Sequence, residues 1–223
     1  MKKYITSLII FIFIAVLFAA TEDFTSFIEY DVNEVIAITD ANTITVTDMT
    51  RGDSCYTKYD YGTGYFDSDF TAYIDVDVNS ISSLGSLCIV GFSNTSNTLG
   101  DMITNNEGFS VYVYYSGGTK FYLNDFDTDA FDYDGVSIGG FFYFKIVRDG
   151  TDIGCGIYSN AACTTKLDSL AITGAETTYR YCVVAGARNS ESSAIVSAVI
   201  ENLEIEGGTP PSSSSKKNVI IIN

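Results

Sequence analysis

Two carboxylates that could serve as an acid–base pair stand near the start of the chain, in Glu29-Tyr30-Asp31-Val32-Asn33-Glu34. Residues two apart on a strand share a face. Glu29 and Asp31 would then project together, with Glu34 close by, and a retaining glycosidase needs two carboxyls about 5 Å apart. On an edge strand the same residues would be solvated charges. A second acidic group, Asp125, Asp127, Asp129, Asp132 and Asp134, falls within eleven positions of a segment expected to be a loop. Calcium takes six to eight hard oxygen ligands, so this segment is the candidate calcium site, although it lacks the closing Glu of an EF-hand.

Tyrosine offers a different chemistry. Tyr112 and Tyr114 alternate with Val111 and Val113, so the two rings share one face of a strand, and Tyr143 and Tyr181 sit in strands of similar pattern. A flat ring with a hydroxyl handle suits stacking on the C–H face of a sugar. These four are the candidate ligand-binding residues; the competing expectation is that the rings fill the core.

Other chemistries are excluded or weakened. The chain has no His, hence no His-based triad, and it carries neither a Walker loop nor a G-x-S-x-G elbow. A formal net charge of −16 argues against nucleic acid as a partner. Five cysteines without a C-x-x-C pair speak against zinc. Cys88 in SLCIVGF and Cys182 in YRYCVVAG occupy comparable apolar strands and form the candidate disulfide; the alternative is that both are small buried hydrophobes. Arg51-Gly52-Asp53 spells an adhesion tripeptide, and Asn94-Thr95-Ser96 is a glycosylation sequon.

The elements that must position these residues are strands. In Gly140–Ser159, Phe142, Phe144 and Ile146 alternate with Tyr143, Lys145 and Val147, and Asp149-Gly150 supplies a tight hairpin turn. Comparable runs recur at 23–30, 34–39, 42–47, 55–61, 70–78, 86–92, 109–115, 119–124, 165–172, 179–187 and 194–205, separated by Gly, Asn, Asp and Ser. No stretch after residue 20 keeps a 3.6-residue period over a dozen positions, so helices should be few. The pattern predicts an all-β, two-sheet antiparallel sandwich at 21–206.

The flanks differ in composition. Met1-Lys2-Lys3, an apolar run to Phe18 and Ala19-Ala20 predict a signal helix at 1–20, cleaved or retained as an anchor, and hence export to the surface or the medium. Residues 207–223 form a polar linker ending in the apolar tag Val219–Ile222. The tag is either a frayed tail or a strand that mediates self-association by docking on a neighbouring sheet edge.

Several strings resemble concanavalin A-like, laminin-G-like lectin and glucanase jelly rolls: Tyr65-Phe66-Asp67-Ser68-Asp69-Phe70, the hairpin Phe142 to Gly150, and the closing Ile200-Glu201-Asn202-Leu203. The resemblance covers roughly residues 23–206. It implies two stacked antiparallel sheets, one convex and one concave, with the first and last strands adjacent, and ligands on the concave face or in rim loops. The segment Glu29 to Glu34 also carries the E-x-D-x-x-E spelling of retaining glucanases in this superfamily, but at the opening of the domain rather than mid-chain, in a chain with no Trp to platform a sugar.

Taken together, the sequence predicts an exported, non-catalytic binding module for a glycan or cell-surface polysaccharide, with calcium as the one implied cofactor. A structural subunit of an extracellular filament or virion is the first alternative. A glycoside hydrolase using Glu29 and Asp31 is the second.

Overall fold

The computed structural model describes residues 21–208 apart from 68, 96, 176, 177, 189 and 191. The signal helix expected at 1–20 and the apolar tag at 219–222 lie outside the described residues. In chain order the strands are β1 (Ile28–Tyr30), β2 (Ile36–Asp40), β3 (Thr43–Thr50), β4 (Tyr56–Asp60), β5 (Phe70–Ile81), β6 (Ser86–Ser93), β7 (Phe109–Tyr115), β8 (Thr119–Asp125), β9 (Ala130–Gly135), β10 (Phe141–Asp149), β11 (Asp152–Tyr158), β12 (Lys166–Thr173), β13 (Tyr181–Gly186) and β14 (Ile195–Gly207). A single α-helix among the described residues, α1 (Leu99–Asn105), follows β6, and a 3-10 turn at Phe24–Ser26 precedes β1.

The strands form two seven-stranded antiparallel sheets. The first has the order β1-β4-β13-β6-β7-β8-β9 and the second β12-β11-β10-β5-β14-β3-β2. Alternation decides which side chains go between them. In β5, Phe70, Ala72, Ile74, Val76 and Val78 are buried while Thr71, Tyr73, Asp75 and Asp77 face outward. β8 and β10 obey the same rule. The last strand lies between β3 and β5, and Thr21, at the start of the described chain, bridges to Glu204 on it.

Phenylalanines lock the layers together. Phe66 packs on Phe70 and Phe92 with centroids 5.0 Å away in each case, Phe92 stacks on Phe109 at 4.9 Å, and Phe109 meets Tyr179 at 5.5 Å. Phe144 of β10 is fully buried against Phe121 of β8, a contact between the sheets. Truncating such a ring to Ala costs about 3–5 kcal/mol.

The hairpin read from the sequence is present. Asp149 faces Asp152 across the turn, and Gly150 takes φ +60°. It is not at the centre of its sheet, a place taken by β5. Gly108, which leads into β7, has φ +91°, and a Cβ there would stand 2.4 Å from the Phe92 carbonyl oxygen, so only glycine fits.

Two expectations are corrected. The acidic segment is not a loop throughout: Ala130–Gly135 is the edge strand β9, paired along its whole length with β8. The short helix α1 has no counterpart in the sequence reading. It is built from a capping box, in which the Asp101 amide donates to the Thr98 hydroxyl (3.0 Å) and the Thr98 amide donates back to the Asp101 carboxylate (3.1 Å). Asn106 ends it in the left-handed region at φ 49°.

Candidate functional site

The outer face of the first sheet is the most chemically populated surface of the molecule. Along β7 and β8, register places Tyr112 opposite Tyr122 and Tyr114 opposite Lys120. The next strand sets Tyr133 opposite Tyr122. Tyr112 and Tyr122 stack with centroids 5.1 Å apart and planes 10° from parallel, and Tyr122 meets Tyr133 at 5.0 Å. The row therefore runs from a nearly buried ring, Tyr112, to one that is 46 % exposed, Tyr133. Burial pushes the Tyr112 hydroxyl up to about 12, with Asn124 and Arg188 pulling the other way. It stays protonated at neutral pH and can donate. The neighbouring Asn124 leaves its buried side-chain oxygen without a hydrogen-bond partner, an acceptor at the foot of the row.

Cations gather around the same rings. The guanidinium carbons of Arg51 and Arg188 lie 5.6 and 5.2 Å from the Tyr114 centroid, and the Lys120 ammonium is 4.2 Å from that of Tyr133. Arg51 comes from the turn after β3, Arg188 from the segment after β13, and Lys120 from β8. Burial, and next the charge of Arg51, lower the Arg188 pKa.

Helix α1 covers the middle of the face. Leu99 and Met102 pack on Cys88 of β6, Val183 of β13 and Tyr112 of β7, with Phe126 completing a small apolar cluster outside the main core. This covering explains why β6 is buried at every position rather than at alternate ones. Beyond the helix, on β1, β4 and β13, stands a second aromatic group. Tyr30 stacks on Tyr56 at 5.5 Å, and the Lys58 ammonium lies 4.6 Å from the Tyr181 centroid while donating to the Asn97 side chain. Asp60 binds Arg180 through two hydrogen bonds, one of 2.7 Å from Nε.

The residues expected to carry function divide accordingly. Tyr112, Tyr114 and Tyr181 share this face, whereas Tyr143 is on β10, in the other sheet, opposite Tyr158 and Asp75. Tyr122, Tyr133, Arg51, Lys120 and Arg188 were not foreseen. The alternation of β8 could have indicated Tyr122, but only the fold brings the two arginines to Tyr114. The adhesion tripeptide is not presented as a free loop: Asp53 is buried and accepts from the Asn33 side chain (2.5 Å) and the Thr50 amide (2.6 Å). In the sequon, the Asn94 amide nitrogen donates to the Thr178 carbonyl oxygen.

Glu29 and Asp31 do not form a pair. Glu29 is exposed on the edge strand β1, opposite Thr57. Asp31 accepts from the Ile36 amide (2.5 Å), the Asn33 amide (3.3 Å) and the Cys55 thiol (3.0 Å), which makes it a loop anchor. Glu34 is an exposed turn residue at φ 55°.

The five aspartates of the expected calcium site do not converge. Asp125 is fully buried and accepts from the Thr128 amide (2.9 Å), the Thr128 hydroxyl (3.0 Å) and the Ala175 amide (3.1 Å). Asp127 accepts from the Gly108 amide (3.1 Å) and the Tyr179 hydroxyl (3.0 Å), and burial raises its pKa. Asp129 holds a turn at φ 61°. Asp132 accepts from the Ala171 amide of β12 (3.0 Å), and Asp134 is raised first by burial and then by its hydrogen bond to Asp168. Among the described residues no three His, Cys, Asp or Glu side chains gather in a metal-holding arrangement.

The Cys88–Cys182 disulfide is also corrected: all five cysteines are free. Cys88 pairs in register with Gly186 and Cys182 with Phe92, so four residues of β13, about 13 Å, separate their levels. They also face opposite sides of the sheet, Cys88 under α1 and Cys182 in the main core. A disulfide needs Cα atoms closer than about 7 Å.

No family model and no curated protein matches the chain. Solved structures do. A functionally unknown protein from Saccharomyces cerevisiae aligns at TM-score 0.55 and 12% identity, over 84% of this chain and 99% of that one. An alginate lyase from Alteromonas sp. 272 aligns at TM-score 0.55 and 13% identity, over 83% and 95%. An alginate lyase from Klebsiella pneumoniae aligns at TM-score 0.53 and 9% identity, over 81% and 86%. At these identities the likeness shows the fold, a concanavalin A-like jelly roll, as the resemblance implied. The expectation of a chain without catalysis is corrected: solved structures of this fold that the chain resembles are named enzymes.

Proposed function

We propose that the protein is a polysaccharide-degrading enzyme whose substrate lies across the outer face of the first sheet. The observation that carries this reading is the row Tyr112–Tyr122–Tyr133, with centroid spacings of 5.1 and 5.0 Å, rising from a protected hydroxyl to an exposed ring. Exposed tyrosine faces receive sugar rings. The buried end supplies a phenol that remains protonated, beside an amide oxygen with no partner of its own. The likeness to alginate lyases, at about the same size as this domain, supports a polysaccharide as substrate.

Phenols rather than carboxylates transfer protons in this reading. Asp60 is held by Arg180 and Asp101 caps α1, so neither is free to pair as a glycosidase requires. Cleavage of a uronate then proceeds by elimination: water takes the proton from the carbon beside the carboxyl, that electron pair forms the new C=C bond as the C–O bond breaks, and Tyr112 protonates the departing glycosidic oxygen and recovers its proton from water. The basic start and apolar run of residues 1–20, read as a signal segment, support export to where such polymers occur.

The test is incubation of the full chain with a panel of polysaccharides, alginate included, following reducing ends together with the ultraviolet absorbance of unsaturated sugar ends. Both signals should rise, and Tyr112→Phe should abolish them while leaving binding intact. Reducing ends without the absorbance would replace elimination by hydrolysis; no cleavage by folded protein would overturn the enzyme reading.

A further inference from the structure

We infer that Arg51 and Arg188 form an anion subsite at Tyr114, so that the sugar bound there carries a negatively charged group, carboxylate or sulfate. This deepens the polysaccharide reading and rests on it for the identity of the polymer.

The argument begins with where charge is placed. Of the twelve Lys and Arg in a chain with twenty-eight Asp and Glu, eight lie within residues 21–208, and three of those, Arg51, Arg188 and Lys120, surround Tyr114 and Tyr133. Elsewhere on the same face Arg180 is neutralised by Asp60. Among the described residues neither Arg51 nor Arg188 has an ion-pair partner. Their nearest aromatic neighbour is instead the same ring, at 5.6 and 5.2 Å.

That arrangement is unfavourable by itself. Among the described residues the buried Arg51 Nε has no acceptor, and its guanidinium makes a long hydrogen bond, 3.4 Å from Nη1 to the Leu84 carbonyl oxygen. Burial and then the charge of Arg51 lower the Arg188 pKa, opposed by Tyr112, Tyr114 and Tyr122. Two like charges held together, with no carboxylate paired to either among the described residues, cost stability unless something supplies a counter-charge. An anion on the ligand does so, and guanidinium groups match carboxylate and sulfate oxygens with paired N–H donors. The Tyr114 ring between them gives the sugar body a surface to stack on.

Affinity electrophoresis of the full chain tests this, using gels that contain a polyuronate, a sulfated galactan or a neutral glucan. The two anionic gels should retard the wild type and the neutral gel should not, with retardation weakening as salt is raised. The polyuronate and sulfated arms show which anion is preferred. Arg51→Gln and Arg188→Gln should each weaken binding several-fold and the double variant at least tenfold, while Lys166→Gln, on β12 of the other sheet, should have no effect. Arg188→Lys, which keeps charge but not the fork, should fall between. Thermal unfolding of each variant guards against loss of fold, and relief of the like-charge contact should leave the midpoint unchanged or raised. Equal retardation by the neutral glucan, or unchanged binding in the folded double variant, would overturn the anion subsite. The two readings fail separately: cleavage of a neutral glucan by the double variant would remove the subsite and keep the enzyme, whereas charge-dependent binding without cleavage of any polymer would keep the subsite and remove the enzyme.

Discussion

Tyr112 and Tyr122 stand opposite each other on β7 and β8 as a nearly parallel stacked pair, centroids 5.1 Å apart and planes 10° from parallel. One ring is embedded beneath α1 and the other is half-buried at the surface, so the pair couples the packing of the helix to the face that would meet a ligand.

That coupling predicts different outcomes for the two tyrosines. Tyr122→Ala, with its ring only part-buried, should lose roughly 1 kcal/mol of ring pairing and weaken polysaccharide binding several-fold, with Tyr133→Ala acting in the same direction. Tyr112→Ala should chiefly unfold the protein more easily, by about 3 kcal/mol or more, because it opens a cavity under Leu99 and Met102. Denaturant unfolding beside a binding isotherm separates them; equal stability losses at both positions would contradict the burial difference.

Cysteine titration gives a direct check on the sheet. Cys55, Cys88, Cys155 and Cys182 are buried, and burial pushes the Cys55 and Cys88 thiols up to about 12, so none should react with a thiol reagent in the native state at pH 7.5. Cys163, partly exposed near Asp75 and Lys145, should react slowly. In denaturant all five should react without prior reduction. Fewer than five would mean that a disulfide joins strands the register holds apart.

Asp125 should behave as a folding residue. Its buried carboxylate gathers three hydrogen bonds from the turn after β8 and from the segment after β12, and a Cβ at Gly174 would approach its Oδ2 to 2.2 Å. Asp125→Ala orphans two backbone amides and should cost about 2–4 kcal/mol. The loss should be the same with and without added calcium. A loss seen only in calcium would assign Asp125 to a metal instead.

How much of this was legible follows from the range of each signal. Period-two alternation is local, so β5, β8 and the β10–β11 hairpin could be read directly, and with them the two-sheet fold. Helix α1 was hidden because seven residues give only Leu99, Met102 and Ile103 as a stripe, too few to distinguish a helix from a loop. β9 was hidden because its Asp132 and Asp134 read as loop residues, whereas Asp132 in fact meets the Ala171 amide of the second sheet. The site was half legible. Tyr112 and Tyr114 declare a shared face by spacing alone, but Arg188 is 74 residues from Tyr114 in sequence and reaches it only through the order β13-β6-β7. The same limit misled the cysteines: two apolar strands of similar composition proved to be neighbours, yet their register and facing keep Cys88 from Cys182.

The second sheet supplies a prediction about pH. On its outer face Asp75 sits opposite Glu201 of β14 and accepts from the Asn202 side chain at 3.0 Å. Burial raises its pKa to about 6 from 3.8, with Glu201 and Glu204 adding to the rise and the Asn202 bond opposing it. A carboxyl raised in the folded state binds its proton more tightly there than in the unfolded chain, so its contribution is fully present below about pH 4 and is lost as pH rises toward 6. Above that it is a constant penalty, which solvent screening at this part-exposed position reduces to about 1 kcal/mol. Asp75→Asn retains an oxygen for Asn202 and removes the charge. It should therefore raise the unfolding midpoint by about 2–4 °C at pH 7.5 and leave it unchanged at pH 3.5. Glu201→Gln should give a smaller gain at pH 7.5, since it removes one of the two charges facing Asp75. An equal shift at both pH values would show that the effect is packing, and a lower midpoint at pH 7.5 would show that the ionised carboxylate is favoured by the fold after all.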